Sequence, residues 1–433
     1  MDILTIIEKK RSKQILSKEE INFFINAYTK LHTIKDYQAA ALLMAINLNG
    51  LNDQEIYYLT DAMLHSGNVV DLSSVKGIKI DKHSTGGVGD KVSLILAPIC
   101  VALGLKVAKL SGKGLGHTGG TIDKLESINV NCNISKQKYL SLLKTVGMFI
   151  ASQTEDLVPA DKFLYALRNS TGTVQSIPLI ASSIASKKLA LKTDYIFLDV
   201  KVGDGGFNRT IEDATKLSNE LLKIFKAYKR KCLIHITNMT QPLGRAIGNA
   251  LEIKSSIEFL KGNPECNEVK ILIYDFLIDI LITTKKVNNR NKAKILIDEV
   301  ISNGAALKIF YKWVCAQGAN EKLITSGEYF HPKYHYEIKA SKSGFVNYKS
   351  TKSVGLSSFF LGAGRLRKED PLDYQAGIYL NKIRNEPVHK GDVVATLYSS
   401  KPIKKEAITH FVNNLEINQK PLKISPVIVK VMK

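Results

Sequence analysis

Two glycine-rich segments lie close together between Asp81 and Ser127: DKHSTGGVGDKVSL (residues 81–94) and SGKGLGHTGGTIDKLES (residues 111–127). Each is loaded with hydroxyls and cations. Glycine lets backbone N–H groups approach an oxyanion closely. Serine and threonine add neutral donors, and lysine adds charge. A helix that starts after either loop adds its positive end. By chemistry this is a phosphate cradle. Residues 114–119 spell G-x-G-x-x-G, but no acidic residue stands about 20 positions further on to hold a ribose. The P-loop pattern G-x-x-x-x-G-K-[ST] is absent. A free phosphate therefore fits better than a dinucleotide or ATP. The alternative is that the glycines serve only tight turns, which two adjacent hydroxyl-rich loops argue against.

The rest of the composition narrows the class. The chain has 433 residues, 45% hydrophobic and 23% charged, enough for two or three domains. The net charge of +21 raises the question of nucleic acid. Lysine, however, is spread along the whole chain, and clusters such as Lys229–Arg230–Lys231 are short and lack interleaved aromatics. A solvated basic surface that favours an anionic substrate is the simpler reading, with no nucleic-acid partner. The five cysteines (Cys100, Cys132, Cys232, Cys266 and Cys315) are scattered and odd in number, which speaks against a disulfide framework or a zinc site. No apolar stretch is long enough to span a membrane. The basic residues of MDILTIIEKKRSK follow its apolar piece, the wrong order for a secretory signal. A cytoplasmic protein with no membrane partner is expected.

The elements that must position the cradle follow from periodicity. Ser17 and Glu20 form a capping box before Ile21, Phe24, Ile25 and Tyr28 at helical spacing. Residues 39–48 predict a second helix that stops at Gly50, and Asn52 and Glu55 cap a third. Beyond Gly67, residues 107–110 are a short, largely apolar segment, and strands are predicted at residues 196–202 and 233–237, alternating with helices such as 214–225. Residues 161–191 look helical again. From about Tyr334 short strands reappear at residues 344–346 and 393–398. The expected fold is α/β: a small helical domain (1–66, with 161–191 returning to it), a larger α/β domain with a mixed, largely parallel sheet (67–333), and a C-terminal α+β subdomain (334–433). The last part faintly suggests a lipoyl or biotinyl carrier, but it lacks the attachment lysine between methionines.

Long segments of the chain resemble the thymidine phosphorylase and pyrimidine-nucleoside phosphorylase family. They are KHSTGGVGD, SGKGLGHTGGTIDKLES, PADKFLYALR (159–168), SIPLIASSIASKKLA (176–190), LDVKVGDGGF (198–207) and LGAGR (361–365). The resemblance covers nearly the whole length. It implies a pentosyltransferase that binds inorganic phosphate and a pyrimidine nucleoside and needs no cofactor for its chemistry. Phosphate ligands match Lys82, His83, Ser84, Ser93, Ser111 and Thr121, with Lys109 and Leu110 beside them. Arg168, Ser183 and Lys187 match the residues that grip the base. Ser183 and Lys187 are four apart and share a face on a helix, and Tyr165, one turn before Arg168, can pack on the base. Taken singly, each serine could be a cap, His83 a core or surface histidine, and Arg168 and Lys187 surface cations around a buried Tyr165. As catalytic residues the resemblance implies Arg168 and Lys187, which stabilise the departing base, and His83, a hydrogen-bond donor or acid at O2. It also implies a homodimer formed through the helical domain.

Three positions refine the picture. Lys113 stands where most members have arginine, so charge is kept and the planar fork is lost. Some members bind a structural potassium ion through backbone matching Gly89, Lys91, Leu243 and Ala246, but the carboxylate ligand of those members falls here on Ser255. Lys109 resembles the broad-specificity branch and favours uridine as well as thymidine and deoxyuridine, with a strict thymidine phosphorylase as the close alternative. A phosphoribosyltransferase of the same broad fold would need a diphosphate and magnesium site. A non-catalytic basic nucleic-acid-binding protein is the rival from another class.

Overall fold

The computed structural model describes residues 1–114, 119–154, 156–365 and 370–433. Four helices open the chain: α1 (Ile3–Arg11), α2 (Lys18–Thr29), α3 (Asp36–Asn49) and α4 (Asp53–Leu64). Both expected capping boxes form. The Glu20 carboxylate accepts the Ser17 N–H at 2.6 Å, and the Asn52–Glu55 pair closes reciprocally at 2.8 Å. A buried Lys10–Glu55 ion pair of 2.8 Å ties α1 to α4.

The chain then alternates: β1 (Lys79–Ser84), α5 (Val92–Ala102), β2 (Lys106–Ser111), α6 (Thr121–Glu126), α7 (Lys136–Thr145) and β3 (Met148–Ser152). Next come α8 (Pro159–Thr171) and α9 (Ile177–Leu189), which pack on α2, α3 and α4. The helical stretch expected at 161–191 is thus two helices, broken at Gly172, where the backbone turns left-handed (φ 69°). Alternation resumes with β4 (Tyr195–Val202), α10 (Ile211–Ala227), β5 (Lys231–Asn238), the short β6 (Ala246–Gly248) and α11 (Asn249–Leu260). Four more helices follow: α12 (Asn267–Thr283), α13 (Arg290–Ser302), α14 (Ala305–Ala316) and α15 (Glu321–Ser326). The last hundred residues hold β7 (Tyr334–Lys339), β8 (Gly344–Tyr348), α16 (Thr351–Ser358), β9 (Gly377–Leu380), β10 (Pro387–Val388), β11 (Val393–Ser399), α17 (Lys405–Asn414), β12 (Leu415–Asn418) and β13 (Ile428–Met432).

The main sheet has the order β13-β5-β4-β1-β2-β3, with β5 to β3 parallel and β13 antiparallel at the edge. Two smaller antiparallel sheets, β10-β8-β12 and β6-β9-β11-β7, form the C-terminal part. Pairing crosses residue 334 twice: β13 joins the main sheet, and β6 pairs with β9 in the second small sheet. One apolar cluster packs α5 and α11 to α14 on one sheet face. A second joins α1 to α4, α8, α9 and α10 to the other face through Ile196, Leu198, Val200, Ile234 and Ile236. No helix among the described residues is long and apolar enough to cross a membrane. The five cysteines are free thiols; Cys100 and Cys132 are buried, and the other three are half-buried.

Strand order decides where a ligand can sit. From β1 the chain moves to β2 and β3 on one side, then jumps back to β4 on the other. The crevice at such a switch point, outside the carboxyl ends of the strands, is the usual ligand position in open α/β sheets. Here it lies at Ser84 and Val202, where the first glycine-rich loop begins.

Candidate active site

The KHS triplet ends β1, and strand alternation divides it. His83 lies opposite Leu198 and Lys82 opposite Phe197, so they face opposite sides of the sheet. The Lys82 ammonium is buried, 3.2 Å from Asp199 and over the Phe276 ring. It charges the floor of the cradle rather than its mouth. His83 is half-buried on the side of α9. Burial, and then Lys188, Lys109, Lys187 and Lys82, hold its imidazole well below the ordinary value. That shift favours the neutral imidazole, which offers one hydrogen-bond donor and one acceptor. The Ser84 hydroxyl donates to Asp90 at 2.5 Å and accepts the Gly86 N–H at 3.1 Å, closing the loop on itself. Burial alone would raise the Asp90 carboxyl, but Lys201, Lys82 and Lys124 outweigh it and hold it far below the usual range.

Ser93 lies in the first turn of α5, Ser111 ends β2 and Thr121 begins α6. Ser93 and Thr121 therefore sit in first helical turns, where backbone N–H groups lack intrahelical partners, whereas Ser111 pairs with Ser152 of β3 at the carboxyl edge of the sheet. The Lys109 ammonium donates to the Lys82 carbonyl at 2.6 Å, and Lys188 donates to the Leu110 carbonyl at 3.1 Å. Lys188 also pairs with Asp81 at 2.9 Å, and Lys124 with Glu252 at 2.7 Å. The second loop is braced by Asp123, which accepts from Gly114 at 2.6 Å and Gly120 at 3.2 Å and pairs with buried Arg365. A Cβ at Gly120 would come 2.2 Å from the Gly114 nitrogen, so only glycine allows this closure. Residues 115–118 of the G-x-G-x-x-G match lie outside the described residues. Lys113 makes a single 2.9 Å contact to Glu126, consistent with the loss of a fork.

The residues expected to meet the base lie on α8 and α9. Lys187 donates to Ser183 at 2.9 Å, as their spacing predicts. Both are held by Asp161: Lys187 at 2.5 Å, and Ser183 through its hydroxyl. Arg168 is buried, with N–H groups on the carbonyls of Thr173 (3.2 Å), Leu179 (3.2 Å) and Val174 (2.7 Å), so it also staples the turn between α8 and α9. Tyr165 is 39% exposed and free to meet a ring. Sequence reading missed Asp161, Asp90, Asp199, Lys188 and Arg365. Asp161 had a signal: it precedes Tyr165 by four and Arg168 by seven, on the same helix face.

The backbone positions offered to potassium also meet. Gly89 and Lys91 lie between β1 and α5; Leu243 lies between β5 and β6, and Ala246 begins β6. The Lys91 ammonium, fully buried, donates to the Leu243 and Ala246 carbonyls at 3.1 Å each and pairs with Glu265. A positive group of the chain itself already satisfies these acceptors. Ser255 lies on α11.

A helical bundle set on an α/β sheet, with glycine-rich loops at the switch point, is the architecture of the glycosyl transferase family that the chain matches. Residues 4–67 match the family described as glycosyl transferase family, helical bundle domain, and residues 76–307 its a/b domain. Residues 345–418 match the pyrimidine nucleoside phosphorylase C-terminal domain. The chain is 49% identical to a thymidine phosphorylase of Mycoplasmoides pirum, over 94% of this chain and 98% of that protein. It is 45% identical to a pyrimidine-nucleoside phosphorylase of Staphylococcus haemolyticus, over 96% of each. The anthranilate phosphoribosyltransferase of Thermus thermophilus shares the fold, with a TM-score of 0.59 over 72% of this chain and 99% of that one, at 17% identity. The chain belongs to the thymidine and pyrimidine-nucleoside phosphorylase family and is a pentosyltransferase.

Proposed function

We propose that this chain catalyses the reversible phosphorolysis of thymidine, deoxyuridine and uridine to the free pyrimidine and the (deoxy)ribose 1-phosphate. The observation that carries this reading is α9. It carries Lys187 beside Ser183, and Lys188, the next residue, reaches Asp81 within β1 and the Leu110 carbonyl near the end of β2. One rigid helix thus spans both substrates. Phosphate is held by backbone N–H groups of the two loops, by Ser84, Ser93, Ser111 and Thr121, and by the field of Lys82 and Lys109. Arg168, Ser183 and Lys187 hold the pyrimidine, with Tyr165 against its ring.

A phosphate oxygen attacks C1′ as the glycosidic bond breaks, and its electron pair leaves with the base. The sugar gains oxocarbenium character, and the ring gains negative charge. Lys187 and Arg168 stabilise that charge, and neutral His83 donates to O2. Phosphate is the nucleophile, so the chemistry needs no cofactor. One charge-assisted hydrogen bond contributes about 1.5–3 kcal/mol, whereas juxtaposing two reactants contributes about 7–11 kcal/mol. Bringing phosphate and nucleoside together is therefore the larger effect. In this reading the helical unit (1–66 with 161–191) closes on the central unit (67–333) and excludes water, while 334–433 braces the second loop through Arg365. A cytoplasmic homodimer completes it: Leu4, Tyr37 and Leu48 leave large apolar surface exposed on α1 and α3.

Base release from thymidine, uridine and cytidine, with and without phosphate, tests the proposal. Phosphate-dependent release from thymidine and uridine is expected. Release from thymidine alone would make the enzyme a strict thymidine phosphorylase and discredit the reading of Lys109. No release from any of them would refute phosphorolysis.

A further inference from the structure

The buried Lys91 ammonium has three donors, and the structure gives it three acceptors: the Leu243 and Ala246 carbonyls and the Glu265 carboxylate. The second Glu265 oxygen accepts the Ala246 N–H at 3.1 Å, and the Glu265 carbonyl accepts Arg245 Nε at 2.9 Å. Glu265 is therefore held by contacts that do not involve the lysine. Gly89 follows the same geometry from the other side. Its backbone is left-handed (φ 77°), and a Cβ there would stand 2.8 Å from the Leu243 oxygen. The loop can press against these carbonyls only because residue 89 is glycine. At the other relevant position, where some relatives of this fold place a carboxylate, Ser255 offers a neutral hydroxyl. The anion that compensates the charge is Glu265, aimed at the lysine.

We propose that Lys91 is a covalently tethered replacement for the monovalent cation. Its ammonium clamps the loop after β1 to the segment that leads into β6 and to the first residue of that strand, and the enzyme needs no potassium to hold that junction. A free ion binds only at sufficient concentration, whereas a tethered ammonium is always present. Asp90, the neighbour of Lys91, accepts from Ser84 and, through its carbonyl, from Lys124 at 2.7 Å. The clamp therefore fixes the phosphate loop, and Lys91 is a positioning residue. The inference is independent of which nucleoside is cleaved.

The first test uses the wild-type protein and no activity assay. Its thermal midpoint is measured in potassium, sodium and choline chloride at equal ionic strength. Equal midpoints are expected; a midpoint raised selectively by potassium overturns the proposal. The second test uses Lys91→Thr combined with Ser255→Glu, which empties the seat and restores a carboxylate. In choline its midpoint should drop and its KM for phosphate rise roughly tenfold, the effect of losing one charge-assisted contact. Potassium should reverse both, while kcat changes less than KM. A folded double variant that ignores potassium, or that keeps wild-type values in choline, refutes the clamp. Should the variant not fold, the wild-type cation series decides.

Discussion

At Asp161 one carboxylate fixes two side chains of the base set, Ser183 and Lys187, and sets where their donors point. Asp161→Asn keeps the shape and removes the charge. The expected result is a fall of roughly tenfold or more in kcat for thymidine, since about 1.4 kcal/mol of lost transition-state stabilisation is tenfold in rate. The KM for phosphate should not change. Unaltered kcat and nucleoside KM in the variant would remove Asp161 from the site. Lys109 carries a pH-dependent expectation. Burial, and then Lys188, outweigh Asp81 and push its ammonium from 10.5 down to about 7. Between those values the unfolded chain holds a proton that the folded chain has released. The contribution of this residue to stability therefore rises with pH across that window. Bound phosphate restores the charge, so at pH 8 binding should take up a proton. Titration calorimetry in buffers of different ionisation enthalpy measures that uptake. Wild type should take up more than Lys109→Met; equal uptake would show that Lys109 does not titrate with the anion.

Among the elements, the second glycine-rich loop depends on a residue far away in sequence. Arg365, which follows α16, reaches Asp123 on α6, and Asp123 holds the N–H groups of Gly114 and Gly120. Arg365→Ala leaves a buried carboxylate without its partner, a change that costs about 3–5 kcal/mol for a buried pair. The KM for phosphate should rise more than the KM for nucleoside, and the thermal midpoint should fall. A variant with both unchanged would separate the C-terminal part from the cradle. This link explains what sequence reading could and could not reach. α1 (Ile3–Arg11) is a fourth helix that the three-helix reading did not include, whereas the helices α2 to α4 and the strands β4 and β5 announce themselves through apolar periodicity and caps. β1 does not, because KIDKHS places Asp81 and Lys82 in the interior, where only their partners Lys188 and Asp199 make burial tolerable. Those partners lie more than a hundred residues away, so pattern alone cannot supply them. β3 (MFIAS) is short and apolar, with no alternation to mark it. Ser183 and Lys187 came from the family resemblance, and helical spacing only put them on one face, whereas the carboxylate that bonds both comes from another helix.

For the whole molecule, the excess of positive charge has a kinetic consequence. The net charge is +21, and the buried lysines of the cradle are largely matched by Asp81, Asp199 and Glu252. The surplus therefore acts from the surface as a long-range field. Such a field draws in an anion and leaves a neutral molecule untouched. One substrate of the proposed reaction is an anion, and the other is uncharged near pH 7. Raising ionic strength from about 0.1 M to 1 M shortens the screening length from about 10 Å to about 3 Å. The kcat/KM for phosphate should then fall severalfold, while the kcat/KM for thymidine at saturating phosphate stays nearly constant. Competition by salt anions in the cradle would give a similar trend, but it would depend on the anion: sulfate would act far more strongly than chloride at equal ionic strength. Screening follows ionic strength alone. A phosphate kcat/KM that ignores ionic strength would mean that the surface lysines serve solubility and contribute nothing to capture of the anion.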